Sequence, residues 1–248
     1  MHSGIEVVLS AEQIGSVFGF PITNSLLMTW VVMALLIGFA FFFGRRLSLI
    51  PGKLQSGIEF AFTSVLDFMT ETLESRALAE RFFPLIATIF LVIFIGNELA
   101  FVPGVGSIGL FHETGFAPFL RAPSADLNFT LALAFISFFT IEITGIATLG
   151  VLKYGSKFVN LKSPVGFAVG LIEMISNLGR LVSFSFRLFG NIFAGEVMIL
   201  VAMYFLPAFL PVPLMAFEMF VGLIQAVVFA MLTLFFIKLA IMEPEEGH

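Results

Sequence analysis

Cysteine is absent from the 248 residues, which excludes disulfides and thiol chemistry while saying little about compartment. Charge is scarce. Asp, Glu, Lys and Arg make up 12% of the chain, where soluble domains carry about 25%. The formal charge of −5 gives no support for nucleic-acid binding. Met1 to Pro21 lack a basic n-region and a small-residue cleavage site, so no removable signal peptide is expected and the first span drives insertion. Proline is missing from residues 165–206, and no acidic residue lies within a helical turn of Arg187.

What is present is apolar. Hydrophobic residues make up 59% of the chain, 34 of them Phe, and the mean hydropathy is +1.07. These values define a polytopic membrane protein. Residues 25–44 form a first span of the length a membrane helix needs, ending at Arg45, Arg46 and Lys53. The positive-inside rule puts that end on the inner side. Residues 53–81 mix charge with apolar residues at helical spacing and predict an amphipathic helix on the inner surface. Residues 84–102 and 128–149 predict a helical hairpin, with Asp126 in the N-cap region of its second helix and Lys153, Lys157 and Lys162 inside again.

An unbroken helix over 165–206 is roughly 63 Å long, against a hydrocarbon core of about 30 Å. It must lie at roughly 60° from the membrane normal, far beyond the usual tilt. The alternative is a break near Asn177 to Gly179. A turn at Pro207 to Pro213 leads to a last helix over 214–242, antiparallel to its predecessor. The expectation is an all-α integral membrane protein, one domain over 1–248, with about five membrane helices and one surface helix. The N-terminus is then outside and the acidic tail 243–248 inside.

Arg187 is an expensive residue in such a chain, since its guanidinium keeps its charge at any accessible pH. Glu173, Arg180 and Arg187 recur every seven residues, which is within roughly 20° of two helical turns, so they share one stripe. Ser176, Ser183 and Gly190 form a neighbouring stripe of small residues. Asn191 is one turn beyond Arg187, and Glu196 points away from it. Glu218 and Gln225 share a face of the last helix, where Glu218 and Glu196 face each other toward the outer side. Desolvated carboxylates trade protons near neutral pH, so the set suits two offset aqueous openings separated by a fixed cation. Other readings stay open. Arg187 snorkels or pairs with Glu196 or Glu218, Arg180 and Lys238 snorkel, Glu196 and Glu218 are packed protonated acids, and Asn191 and Gln225 are interhelical glue. Glu98 and Glu142 stand singly in spans. A small-anion transporter and a membrane enzyme acting on lipid phosphate are the competing classes.

Arg187-Leu-Phe-Gly-Asn191 followed by Ala194-Gly-Glu196 resembles the signature segment of the subunit a family of F-type ATP synthases. Pro123-Ser-Ala-Asp126 with Asn128, Gln225-Ala-Val-Val-Phe229, Asn97 and Pro103 resemble the same family. The resemblance implies a non-catalytic proton-channel component of a bacterial inner membrane, or alternatively a mitochondrial one. It implies as partners the ring of c subunits, b-type peripheral stalk subunits, the rest of the F1Fo complex and membrane lipid, with no cofactor and no metal. It makes Arg187 the essential cation facing the ring carboxylates. Glu196, Glu218, Asn191 and Gln225 border the outer half-channel, and Glu173, Ser176 and Arg180 the inner one. Some members carry His where Glu218 stands. A carboxylate the family often places at position 100 is Ala here, which leaves the outer entrance to Glu98 or to other residues.

Overall fold

The computed structural model describes residues 11–102, 104–105, 108–112, 115–156, 158, 164–207 and 209–242. Pro103, Lys157, Lys162, the first ten residues and the acidic tail, on which parts of the sequence reading rest, lie outside the described residues. The elements in order are β1 (Gln13–Val17), β2 (Phe20–Thr23), α1 (Asn24–Gly44), α2 (Lys53–Leu73), α3 (Arg76–Leu99), β3 (Gly109–His112), β4 (Gly115–Pro118), α4 (Leu127–Leu149), α5 (Val151–Gly155), α6 (Pro164–Phe205) and α7 (Pro211–Ile241). Among the described residues five helices, α1, α3, α4, α6 and α7, are long and apolar enough to cross a membrane. The protein is an all-α integral membrane protein. Its only strands among the described residues form two small antiparallel hairpins.

Side-chain caps start the spans where apolar runs begin. Thr23 accepts from the Leu26 amide at 3.3 Å to open α1. Asp126, after a 3-10 turn at Pro123–Ala125, accepts from the Asn128 amide at 2.9 Å to open α4. Each cap satisfies an amide the helix itself leaves bare. The Asp126 carboxylate also accepts from Ser25 Oγ, which ties the start of α4 to the start of α1.

The segment expected as one surface helix over 53–81 is divided. α2 stops at Leu73, Glu74 turns left-handed at φ 55, and Ser75 caps α3 by accepting from the Leu78 amide at 3.4 Å. Residues 76–81 therefore belong to the second membrane helix, and Pro84 sits inside it. Pro84 reads as a helix start in the sequence, but the cap at Ser75 lies nine residues upstream, and the helix runs through the proline at the cost of one backbone hydrogen bond.

The expected hairpin of the second and third spans is replaced by a different packing. α3 lies mainly against α7, and α4 against α6 and α7, so α7 occupies the centre of the bundle. Its buried positions Glu218, Gly222, Ala226, Ala230 and Leu234 recur every four residues, a stripe of mostly small side chains that lets neighbouring helices approach closely. α6 is one continuous helix of 42 residues, without the alternative break near Asn177. α7 starts at Pro211, not 214. Pro211 and Pro213 fit its first turn, where a missing N–H costs no helical bond.

Candidate functional site

Polar groups gather at two ends of the α6–α7 pair. At the end near the α6–α7 turn, Arg121 clamps Glu196 with two donors, Nη2 to Oε2 at 2.8 Å and Nε to Oε1 at 3.0 Å. The Arg121 side chain is 9% exposed and that of Glu196 34%, so the pair is sheltered and its fork geometry is fully used. Glu218 is 2% exposed. Its carboxyl rests on Gly195, where an added Cβ would overlap it, and its Oε1 has no hydrogen-bond partner.

Asn97 extends this cluster. It is 1% exposed, neither atom of its amide has a partner, and it packs on Gly222, one turn along α7 from Glu218. A Cβ at Gly222 would lie 3.1 Å from the Cβ of Asn97 and 3.7 Å from Glu98 Oε1. Three polar side chains, Glu218 from α7 and Asn97 and Glu98 from α3, thus rest against two glycines. Buried polar atoms without partners are rare and mark places where water or a transferred proton is accommodated.

Arg187 stands apart. It is exposed on α6, and it donates to Ser183 Oγ at 3.3 Å, a helical turn back. Neither Glu196 nor Glu218 pairs with it: one is held by Arg121 and the other rests on Gly195. The structural-bridge alternatives for Arg187 therefore fail. Ser176, Gly179, Ser183, Asn191 and Ala194 are exposed on the same helix, a mostly small-residue face on either side of the guanidinium. Gln225 is half-buried on α7.

At the opposite end, Arg180 Nη2 reaches Glu173 Oε1 at 3.3 Å, as seven-residue spacing on one stripe allows, and its guanidinium lies 4.8 Å from the Phe236 ring centroid. Glu142, single in the sequence reading, has partners: Tyr154 Oη donates to it at 3.0 Å and Asn177 Nδ2 at 3.3 Å. Lys238, expected to snorkel, binds Glu74 at 2.7 Å. That hydrogen bond, with the ammonium charge, holds the Glu74 carboxyl below the ordinary carboxylate value. Arg121, Gly195, Tyr154 and the Asn177 contact escaped sequence reasoning. Arg121 and Glu196 are 75 positions apart, and only a basic residue in the loop just before the Pro123 motif signals the former.

The fold and site define a polytopic helical membrane protein whose apolar helices carry an exposed cation and several sheltered carboxylates. Residues 26–238 match the family described as ATP synthase A chain, and the chain belongs to that family. It is 36% identical over 222 residues to "ATP synthase subunit a 1" of Syntrophotalea carbinolica, covering 88% of this chain and 85% of the relative. It is 33% identical over 221 residues to "ATP synthase subunit a" of Helicobacter hepaticus, covering 88% and 89%. Against the subunit of that name from Campylobacter hominis the figures are 31% over 233 residues, 94% and 96%.

Proposed function

We propose that this chain is the proton-translocating stator of a bacterial F-type ATP synthase membrane motor. Protons from the outer side reach the cluster of Asn97, Glu98, Glu196 and Glu218 and pass along Gln225 and Asn191. They are then delivered to a carboxylate carried on a ring of c subunits. The ring turns the neutralised carboxylate away through lipid. On its return the carboxylate meets Arg187, loses its proton to the inner path beside Glu173, Ser176 and Arg180, and pairs with the guanidinium. Arg187 cannot give up a proton, so it separates the outer and inner half-channels instead of relaying between them. The driving force is about 2.3 kcal/mol per charge per 100 mV, plus any pH difference. The N-terminus lies outside and the C-terminus inside, and b-type stalk subunits hold the chain against the turning ring.

One observation carries this reading: Arg187 is exposed on a membrane helix, with no carboxylate of its own chain beside it among the described residues. A fixed cation in hydrocarbon requires a counter-charge, and a succession of ring carboxylates supplies it. Arg187→Ala in the assembled complex should abolish proton-driven ATP synthesis in vesicles. Synthesis at the normal rate would overturn the reading.

A further inference from the structure

Glu142 has no role in the path above, yet three elements build a place for it. Tyr154 Oη donates to Oε2 at 3.0 Å, from α5, and Asn177 Nδ2 donates to Oε1 at 3.3 Å, from α6. α5 turns back on α4 after Gly150, at φ 81. The Tyr154 ring, 5% exposed, lies over Gly145, one turn from Glu142, where an added Cβ would overlap it. The glycine admits the ring, and the ring carries the hydroxyl to the carboxylate. Burial first, and then the Glu142 charge, push the Tyr154 hydroxyl above its ordinary pKa, so it keeps its proton and acts as a donor.

Between α4 and α6 a cavity of about 10 Å³ is lined by Glu142, Asn177 and Arg180 together with Ile141, Phe184 and Phe236. That is the room for about one water. Asn177 is 6% exposed and its Oδ1 has no hydrogen-bond partner, a cost that a water donating to it would relieve. Glu142, Asn177 and Arg180 are the polar residues of an otherwise apolar lining, and a buried water needs two to four polar partners. Arg180 in turn reaches Glu173 at 3.3 Å, whose side chain is 43% exposed.

We propose that Glu142 is a further proton-exchange site on the inner path, connected through one water held by Asn177 to Arg180 and Glu173, with Tyr154 as its positioning residue. This rests on the stator reading above. A proton arriving on the water passes to a Glu142 oxygen, and the reverse transfer returns it to the water, with only O–H bonds exchanged. Arg180 takes no proton and orients the water.

The test uses the assembled complex in inverted vesicles carrying Glu142→Gln, Glu142→Asp, Asn177→Leu or Tyr154→Phe, with membrane-bound ATPase activity reporting assembly. After removal of the soluble sector, passive proton flux is measured against pH on the inner side. Glu142→Gln and Asn177→Leu should each lower the flux roughly tenfold. Glu142→Asp should recover most of it, and Tyr154→Phe should shift the pH of half-maximal flux. Wild-type flux with an unchanged pH profile in the Gln and Leu variants overturns the inference and leaves the stator reading standing. A loss equal at every pH that Asp does not rescue assigns Glu142 a purely structural role and also overturns it. If Glu142→Gln fails to assemble, Asn177→Leu and Tyr154→Phe decide the matter. Arg187→Ala vesicles that still couple would sink the stator reading itself.

Discussion

The two acids near the α6–α7 turn are both sheltered, but by different means. Glu196 has the Arg121 guanidinium clamped to it through two hydrogen bonds. Glu218 has only a glycine surface beneath it and one oxygen without a partner. Gly195→Ala tests that seat. Alanine is the better helix former by about 1 kcal/mol, so local helix stability should rise. The new Cβ must nevertheless push the Glu218 carboxyl off its seat, and proton-driven ATP synthesis should fall severalfold. Synthesis at the normal rate, with the complex fully assembled, would show that the seat is unimportant. The clamp is tested by Arg121→Gln, Glu196→Gln and their combination. Unfolding of the detergent-solubilised chain should give a coupling of roughly 1–3 kcal/mol in that cycle. Simple additivity would mean the pair contributes nothing beyond its two separate side chains. Arg187 was legible at this scale because a charge inside an apolar run is conspicuous in any one-dimensional reading. Arg121 was not, since its meaning depends on an acid 75 positions away.

Elements were legible where a single helix carries its own signal. The apolar runs of α1 and α4 and the cap at Asp126 all lie within one local window of sequence. The α2–α3 junction was misread because Pro84 is a louder signal than Ser75, although the weaker-looking serine supplies the cap. The β1–β2 hairpin was missed because its turn places Phe18 and Gly19 both at positive φ, 50° and 84°. That pair of conformations is usual for tight hairpins, but Phe is an unusual residue to adopt one. α6 makes the sharpest demand at this scale, since 42 residues remain helical past Asn177 and Gly179. Gly179→Pro would remove a backbone donor in mid-helix and cost about 3 kcal/mol. It should break the common stripe that Glu173 shares with Arg187, and coupled synthesis should be lost while the chain is still inserted. Retained coupling in that variant would show that one rigid helix is not required.

At the scale of the whole molecule, neighbours in sequence proved poor guides to neighbours in space. α3 and α4 follow one another, yet each packs chiefly on helices from the far end of the chain. No local periodicity reports that α7 lies between them. The small stripe on α7 marks a helix built to be surrounded, a meaning it gains only once its neighbours are known. The same logic applied to α6 gives the opposite result. Its small residues Ser176, Gly179, Ser183 and Ala194 are exposed around Arg187, although small residues in membrane helices serve close packing. A face so made, exposed among the described residues, fits a partner helix that slides past without interlocking. Ala194→Trp tests this, since a bulky ring on an exposed position leaves the core of the chain untouched. The purified variant should unfold at the same temperature as the parent, while the c ring no longer co-purifies with it and coupled synthesis is lost. Phe42→Trp on α1, where the native side chain is 67% exposed, should leave ring binding unchanged. Ring retention and coupling at parental levels in Ala194→Trp would place the ring on some other face, and Arg187 would then need a different counter-charge.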